Sequence, residues 1–229
     1  MNQFERFELL VGNKINDIKS KVVLIIGLGG VGSYAVEALV RSGIQNFIIA
    51  DNDKISCTNL NRQIMAYHFN IGNLKTDEIE KRILSINENA SVIKVNEFID
   101  LNNINNLFEN NIDYVIDACD TVTVKLELIR ICKRKKIKLI SSMGTGNKMD
   151  PSKLKILDIR KTNYDPIAKI VRKMVKEEKI NGKVMVVCSD EKPIKKIDKQ
   201  IPSNSFVPAT AGLLCASYVI NDIVGDLNV

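Results

Sequence analysis

The chain has 229 residues and a net charge of +6, and its 45% hydrophobic and 26% charged residues are ordinary for a soluble protein with a large core. The first residues lack the pattern of a signal peptide, and no apolar run approaches the roughly 18 residues that span a bilayer, so we expect a cytoplasmic protein without a membrane partner. Five cysteines form no C-x-x-C pair, which argues against a disulfide framework and against zinc.

The first segment predicts two short helices ahead of the first strand. Apolar residues recur at helical spacing from Phe4 onward, and Ile15 and Ile18 continue the pattern after a short break. Arg6 lies in the first of these helices. We therefore expect residues 1–20 to form an N-terminal helical segment.

A glycine-rich loop follows the first strand. Residues 21–26 are an apolar strand, and a G-x-G-x-x-G sequence comes next with Gly27, Gly29 and Gly32, and with Gly30 between them. Glycines let the backbone turn tightly beside a phosphate, and the first N–H groups of the following helix point at that anion. The loop therefore predicts a nucleotide-binding site.

This loop does not by itself identify the nucleotide. Asp51 stands 24 residues after Gly27, where a dinucleotide dehydrogenase places an acid on a ribose hydroxyl. Up to Asp51, the pattern fits a nicotinamide enzyme and an ATP-dependent enzyme equally well.

Strand and helix patterns alternate through the first two thirds of the chain. Helical patterns at residues 73–86 and 122–134 separate most of the predicted strands. The strands are predicted at residues 21–26, 46–50, 91–96, 113–117 and 137–141. This alternation predicts an α/β, Rossmann-like, doubly wound and mostly parallel sheet, with its ligand crevice at the carboxyl ends of the strands.

Charged side chains follow these strands at that edge. Asp51 and Asp53 follow the second strand, Arg62 and Lys75 come further along, and Asp120 follows the fourth strand. An enzyme that cleaves ATP between the α and β phosphates needs cations for phosphate charge and a carboxylate for Mg²⁺, and a nicotinamide enzyme does not. Taken singly, Arg62 could form a surface ion pair, Lys75 could be solvated, and Asp120 could be a helix N-cap.

Positive charge is concentrated in the second half of the chain. Residues 1–124 carry 11 basic and 16 acidic side chains, a net of −5, whereas residues 125–229 carry 22 and 11, a net of +11. The second half therefore predicts a polyanionic partner, with nucleic acid as the first candidate. The alternative is a lysine-rich composition that only solvates the surface.

Two later helical patterns differ in character. Residues 166–179 predict an amphipathic helix, whereas residues 206–224 are apolar and predict a core or dimer-interface helix. We expect the first helix to bury Ile167, Ile170, Val171, Met174 and Val175 and to present Lys169, Arg172, Lys173 and Lys176 to a polyanion. The basic run at 133–136 is more simply a solvated helix end whose cations suit the helix dipole.

Taken together, the motifs resemble one superfamily. They are G-x-G-G-V-G-S at 27–33, D-x-D at 51–53, T-N-x-N-R-Q at 58–63, a lysine at 75 and D-A-x-D at 117–120. This combination is similar to the ubiquitin-activating-like adenylating enzymes, the ThiF/MoeB/HesA superfamily. The segments 6–12, 187–193 and 204–209 look most like its branch of tRNA threonylcarbamoyladenosine dehydratases (TcdA, also called CsdL). The absence of C-x-x-C pairs and the basic second half favour this branch over the activators of sulfur carriers.

The resemblance implies a single adenylating domain over residues 1–229, with a nucleotide-binding core at 21–145 and a basic C-terminal lobe at 146–229. It implies ATP and Mg²⁺ but no zinc, a tRNA substrate, and a homodimer. A cysteine desulfurase or sulfur-acceptor system is a further candidate partner. The implied reaction adenylates the threonylcarbamoyl carboxylate and closes a ring, with release of AMP and pyrophosphate.

The resemblance also implies roles for individual residues. In the adenylating enzymes, residues at these motif positions contact the nucleotide: Gly27, Gly29, Gly30, Gly32, Asp51, Asp53, Asn59, Arg62, Gln63, Lys75 and Asp120. Asp51 is implied on the ribose, Asn59, Arg62 and Lys75 on the phosphates, and Asp120 on Mg²⁺. Arg6 matches an arginine that such dimers insert into the neighbouring ATP site. Arg6, Arg62, Lys75 and Asp120 are thus the implied catalytic set.

One departure from this branch concerns covalent chemistry. Some dehydratases carry a cysteine a few residues before the position of Phe206, but this chain has no cysteine at 202–205. We therefore expect no thioester there, and we expect Cys119, Cys188 and Cys215 to be packing residues. Two other functions stay open: an adenylyltransferase that activates the C-terminal glycine of a ubiquitin-like sulfur carrier, and an NAD-binding redox or regulatory protein.

Overall fold

Seven strands form a single sheet in the computed structural model, which describes residues 2–194 and 201–225. The strands are β1 (Val22–Ile26), β2 (Asn46–Ala50), β3 (Ser91–Val95), β4 (Tyr114–Asp117), β5 (Lys138–Ser142), β6 (Leu154–Asp158) and β7 (Met185–Ser189). Their spatial order is β3-β2-β1-β4-β5-β7-β6, and every neighbouring pair is parallel except β6 with β7. The doubly wound, mostly parallel sheet predicted from the sequence is confirmed.

Within the described residues, seven α-helices cover the two faces of this sheet. They are α1 (Glu5–Val11), α2 (Lys14–Ser20), α3 (Gly32–Arg41), α4 (Lys75–Ile86), α5 (Val122–Lys135), α6 (Pro166–Glu177) and α7 (Phe206–Val224). On one face, α1 to α4 and α7 pack over alternate strand residues such as Val23 and Ile25. On the other face, α5 packs over the intervening residues, such as Leu24 and Ile26. Burial on both faces explains why the central strands are continuous apolar runs.

The five strands predicted from sequence are all present, but β6 and β7 were not predicted. β6 carries the exposed Lys155 as its second residue and Asp158 at its end, so it is not the continuous apolar run that marks the central strands. β6 is an edge strand whose only partner is β7, about 30 residues later in the chain, so no local pattern specifies the pairing. They extend the sheet through the segment expected to be a basic C-terminal lobe.

Helix α7 packs into the core, as its apolar sequence predicted. It is the one helix in the described ranges that is long and apolar enough to cross a membrane, and half of its most apolar window is buried inside the fold. Gly212 lies where α7 crosses the start of α3, and a Cβ atom there would be 2.2 Å from the Val31 carbonyl oxygen and 2.9 Å from the Ala35 nitrogen. Only glycine allows this close approach of the two helices.

We predict that Gly212→Val destabilises the fold strongly, because the added atoms force α7 away from α3. The expected loss is about 3 kcal/mol or more of unfolding free energy, at the upper end of overpacking effects. Urea unfolding followed by circular dichroism measures it. Ser217→Ala on the exposed side of α7 is the control, with an expected change within about 0.5 kcal/mol. Equal stability of the two variants would contradict the close helix crossing.

Candidate functional site

A crevice of about 550 Å³ opens at the carboxyl ends of β1, β2 and β4. Its lining contains most of the residues singled out from the sequence: Gly27, Gly29, Gly30, Asp51, Asp53, Asn59, Arg62, Gln63, Lys75 and Asp120. Gly32 supports the loop from behind, and Arg6 is exposed on α1 and does not line this crevice. The sequence placed the ligand crevice at the carboxyl ends of the strands, and these side chains come together at that edge.

The glycines shape this crevice in different ways. Gly27 has φ +86°, and a Cβ atom there would lie 2.7 Å from the Ala118 carbonyl oxygen. A Cβ atom on Gly32 would lie 1.8 Å from the Gly27 carbonyl oxygen, so both positions require glycine for packing. Around Gly29, by contrast, the nearest atom is Gln63 Nε2 at 3.7 Å. The backbone at Gly29 is therefore open to an approaching ligand.

Asp51 joins the end of β2 to the glycine loop. Its Oδ2 accepts a hydrogen bond from the Leu28 backbone nitrogen at 2.7 Å, and its Oδ1 accepts one from the Asp53 nitrogen at 2.8 Å. Burial raises the pKa of Asp51, and the nearby charge of Lys75 opposes that rise. Each carboxylate oxygen keeps a second lone pair for a ligand hydroxyl.

Lys75 is buried at the crevice wall, which rules out the alternative of a solvated side chain. Only 5% of its side chain is exposed, and its Nζ lies 2.6 Å from Asp53 Oδ2 and 3.8 Å from Asp51 Oδ2. The Asp53 side chain is 62% exposed, so water weakens its hold on the ammonium. Lys75 is thus a fixed cation in the crevice.

The alternative for Arg62, a surface ion pair, is wrong, because Arg62 forms no ion pair within the described residues. Its Nη1 donates to the Thr58 carbonyl oxygen at 2.8 Å and to Asn61 Oδ1 at 2.9 Å. Asn59 stabilises the same turn by accepting from the Ser56 nitrogen at 3.0 Å. Neutral acceptors therefore orient the guanidinium and leave its positive charge uncompensated.

Two further side chains have spare hydrogen-bonding capacity in the crevice. Gln63 is buried, and its Oε1 has no hydrogen-bond partner among the described residues, so it can accept from a ligand donor. Asp120 is exposed, and in the same part of the chain its one hydrogen bond comes from Thr121 Oγ1 at 3.5 Å. Thr121, not Asp120, is the N-cap residue of α5. The N-cap alternative for Asp120 is therefore wrong, and its carboxylate faces the crevice freely.

A buried ion pair below the crevice was missed by the sequence analysis. Lys125 and Asp117 are 1% and 0% exposed, and Lys125 Nζ donates to Asp117 Oδ1 at 3.0 Å and Oδ2 at 3.1 Å. Lys125 also donates to the Ser142 carbonyl oxygen at 2.8 Å, and Asp117 accepts from Ser141 Oγ. This network joins β4, β5 and α5 directly beneath Asp120. Lys125 stands between apolar residues of α5, and this position was the one sign in the sequence that the lysine is buried and paired.

The positive charge of this pair is retained in the folded protein. Burial disfavours the ammonium, but the charge of Asp117 and its hydrogen bond raise the pKa of Lys125 above the usual value. Lys125 therefore stays protonated at neutral pH and keeps Asp117 compensated.

The cysteines near the crevice are poor nucleophiles. Cys119 was expected to be a packing residue, and it packs against the core while it lines the crevice half-buried, with Sγ 3.1 Å from Asp117 Oδ1. Burial and the charge of Asp117 raise the pKa of the Cys119 thiol far above its usual range. Cys188 and Cys215 are buried as predicted, and burial raises the pKa of each thiol to about 12. These thiols therefore stay protonated at neutral pH.

Helix α6 departs from its predicted orientation at two positions. Ile170 was expected to be buried but is 48% exposed, whereas Arg172 turns inward and donates to the Thr162 carbonyl oxygen at 2.7 Å and to Thr162 Oγ1 at 2.6 Å. The arginine is half-buried because it closes the loop before α6. Lys169, Lys173 and Lys176 are exposed as predicted, and the Lys173 Nζ atom lies 3.7 Å from Glu177 Oε1.

The fold and the crevice together define a class. A Rossmann-like sheet with a glycine loop open to phosphate, and with Arg62, Lys75 and Asp120 at its carboxyl edge, is the arrangement of a nucleotide-binding adenylating enzyme. The ThiF family model matches residues 2–226, and the chain belongs to the ThiF family. The family identified from the sequence motifs is therefore confirmed.

Known proteins are similar to this chain over nearly its whole length. The tRNA threonylcarbamoyladenosine dehydratase of Bacillus subtilis (strain 168) is 38% identical over 247 residues, which cover 100% of this chain and 97% of the relative. The crystal structure of the E. coli dehydratase TcdA in complex with ATP matches with a TM-score of 0.90 at 32% identity, covering 96% of this chain and 93% of that one. The E. coli molybdopterin-synthase adenylyltransferase is 32% identical over only 54% of this chain and 49% of its own.

We predict that Lys125→Met lowers the unfolding free energy by about 3–5 kcal/mol, because it leaves the Asp117 carboxylate buried without a counter-charge. The double change Asp117→Asn with Lys125→Met should recover part of this loss, since no charge is then left unpaired. Lys14→Met, which breaks the exposed pair with Asp17, is the control and should cost less than about 1 kcal/mol. Urea unfolding of the four proteins tests this. Equal losses for the two single variants would contradict the role of the buried pair.

Proposed function

We propose that this protein is an ATP-dependent tRNA threonylcarbamoyladenosine dehydratase that works in the cytoplasm. The observation that carries this proposal is a nucleotide crevice with an unpaired arginine, in a chain similar from end to end to such dehydratases. The whole chain acts as one adenylating unit in this proposal. The substrate is the threonylcarbamoyl group on an adenosine of tRNA.

The proposed reaction has two steps. In the first, a carboxylate oxygen of the threonylcarbamoyl group attacks the α phosphorus of ATP, and the bond to the β phosphate breaks to release pyrophosphate. In the second, the ureido group of the same modification attacks the carbonyl carbon and loses a proton, and AMP leaves with the original carboxylate oxygen. A ring closes, and one water is formally removed. No protein thiol takes part, which agrees with the protonated state of Cys119.

Several features of the crevice support ATP as the nucleotide. The open backbone at Gly29 and the N-terminus of α3 suit phosphate oxygens, and the two free lone pairs of Asp51 suit ribose hydroxyls. Phe98 and Ile99, which the sequence analysis did not single out, add an apolar wall for the base. Gln63 Oε1 offers an acceptor that nothing in the protein uses.

Arg62 and Lys75 have different roles at the phosphates. Arg62, with support from Asn59, stabilises charge as it develops on the leaving pyrophosphate, since preorganised charge acts most strongly in the transition state. Lys75 is the second cation for the phosphates, and Asp53 and Asp51 hold its ammonium in place. The adenylation step therefore depends on side chains that are positioned before ATP arrives.

Asp120 is the proposed protein ligand for Mg²⁺. Within the described residues, no group of three or more His, Cys, Asp or Glu side chains could hold a metal ion on its own. One free carboxylate suits an ion that takes its other ligands from phosphate and water, as Mg²⁺ commonly does. When bound, Mg²⁺ neutralises phosphate charge. The absence of zinc stays a prediction.

The two alternatives have less support. The similarity to the molybdopterin-synthase adenylyltransferase covers about half of this chain, which leaves the activation of a sulfur carrier less favoured. An NAD-binding protein gives no role to Arg62 and Lys75 in the crevice. A sulfur-acceptor partner stays a prediction from the resemblance.

A two-fold homodimer completes the proposal. Arg6 is exposed and does not line the crevice of its own chain, and the same helix exposes Leu9 by 84% and Leu10 by 69%. Such apolar exposure suits burial against a second copy, and closed dimers are the commonest homo-oligomers. We propose that each Arg6 reaches the phosphates in its partner's crevice.

Mass spectrometry of nucleosides tests the function directly. Threonylcarbamoyladenosine-containing tRNA incubated with the protein and ATP should lose the mass of one water at the modified nucleoside, with pyrophosphate released in equal amount. Omission of ATP is the control. Pyrophosphate exchange that requires a sulfur-carrier glycine and ignores tRNA would favour the first alternative. Tight NAD binding without ATP binding in calorimetry would favour the second.

We predict that Arg62→Ala folds normally and lowers turnover by about 10²-fold, the scale of removing one transition-state charge contact. Thermal unfolding checks the fold, and pyrophosphate release checks turnover. Arg41→Ala removes an exposed arginine on α3 and serves as the control, with unchanged turnover expected. Full turnover in Arg62→Ala would remove Arg62 from the site.

We also predict that Arg6→Ala and Arg62→Ala proteins, each inactive alone, complement each other after subunit exchange. A mixed dimer has one crevice with its own Arg62 and the partner's intact Arg6, so an equal mixture should regain about a quarter of wild-type activity. Exchange is verified with two affinity tags. Verified exchange without regained activity would place Arg6 outside the partner's site.

A further inference from the structure

A second cavity lies at the opposite edge of the sheet from the candidate site. It has a volume of about 600 Å³ and opens at the amino ends of β5 and β7, beside the last turn of α5. We call it the amino-edge cavity and define it by Lys133, Lys136, Lys138, Lys183, Tyr218 and Asp222. Strand β5 begins at this cavity and runs roughly 13 Å toward the carboxyl edge of the sheet, where the candidate site lies.

Positive charge in the amino-edge cavity is largely uncompensated. Asp222 is its one carboxylate; it lies 3.1 Å from Lys138 and also accepts from Tyr114 Oη at 2.7 Å. Lys133, Lys136 and Lys183 form no ion pair with any residue that the structure describes. Lys133 donates only to the Lys183 carbonyl oxygen, at 2.7 Å, and burial together with the charge of Arg160 lowers the pKa of Lys133.

The helix dipole does not account for this cluster. Lys133 and Lys136 lie at the carboxyl end of α5, where cations are favourable. Lys138 and Lys183, however, come from the start of β5 and from the segment before β7. Four lysines from three parts of the chain therefore line one concave space, and three of them form no ion pair within the described residues, which fits an anionic ligand.

A basic path connects this cavity with the candidate site. Asp165 is the N-cap residue of helix α6 and accepts from the buried Lys148 at 2.9 Å, and Lys148 also donates to the Gly144 carbonyl oxygen beside the crevice residue Thr145. After the other end of α6, Glu178 pairs with Arg130 of α5, and both line a depression together with Lys133 of the amino-edge cavity. The 12 residues of α6 span roughly 18 Å, with Lys169, Lys173 and Lys176 exposed between the two ends.

We propose that the amino-edge cavity binds backbone phosphate of the tRNA substrate, as the far end of a contact that begins at the candidate site. This inference rests on the proposed function. A span of roughly 18 Å lies within one RNA stem, since small RNA-binding domains contact about 16 base pairs. The lysines of the cavity position the tRNA through charge and do not read its sequence.

The test neutralises two exposed lysines of the cavity that form no ion pair within the described residues. The variant is Lys136→Asn with Lys183→Gln, because asparagine tolerates the left-handed φ of +58° at position 136. Lys14→Gln with Lys81→Gln removes the same charge from the acidic half and is the control. A third variant replaces Lys169, Lys173 and Lys176 with glutamine. The affinity for tRNA is measured by fluorescence anisotropy over a range of salt concentrations.

We expect the cavity variant to bind tRNA about tenfold more weakly at low salt, and its salt slope to fall by roughly 0.7 to 0.9 for each lost contact. The control should bind tRNA like the unaltered protein, and calorimetry should give the same ATP affinity for all variants. An aryl-azide probe attached at position 183 should cross-link to tRNA.

Two results would overturn the inference. One is a cavity variant whose tRNA affinity and salt slope are unchanged while the α6 variant loses affinity. The docking surface would then extend along α6 but not into the cavity. The other is lost binding to phosphatidylserine vesicles with intact tRNA binding, which would assign the cavity to a membrane surface. Failure of the proposed function looks different, because the unaltered protein would then not dehydrate tRNA at all.

Discussion

The crevice depends on the buried ion pair between Asp117 and Lys125. Removing two charges from water costs several kcal/mol per ion, so such a pair is retained for geometry more than for net stability. Here the pair joins the carboxyl ends of β4 and β5 to α5, in the segment that also carries Ala118, Cys119 and Asp120. The backbone of Ala118 in turn presses against Gly27, so the glycine loop rests on the same support.

Sequence patterns predicted the parts of the site that are encoded locally. The central strands are apolar runs and the loop glycines stand at fixed spacing, so β1, β2 and the crevice edge could be located before any contact was known. Lys125, Arg172 and the pairing of β6 with β7 could not, because each depends on a partner that lies elsewhere in the chain or on a side-chain direction that periodicity does not fix. Ile170 illustrates the limit, since an apolar residue at helical spacing is still 48% exposed.

The crevice also indicates how such chemistry proceeds without a reactive thiol. Neutral acceptors orient Arg62, and Asp53 with the largely buried Asp51 holds Lys75, while burial and the nearby Asp117 keep the Cys119 thiol protonated. Activation by adenylation and attack by a group already attached to the substrate need only charge and positioning from the protein. Chemistry of this kind requires a rigid site, and the packed glycines and the buried pair provide one.

The close crossing of α3 and α7 has a consequence for biosynthesis. Val31 and Gly212 are separated by 181 residues, yet α7 covers the face of α3 that carries Ala35 and Leu39. A ribosome at 5–20 residues per second needs on the order of ten seconds or more to make that stretch, and during this time the helix behind the glycine loop has no cover. A nascent chain therefore exposes apolar surface beside its nucleotide loop until α7 has been made, and chains that terminate before α7 are targets for chaperones and proteases.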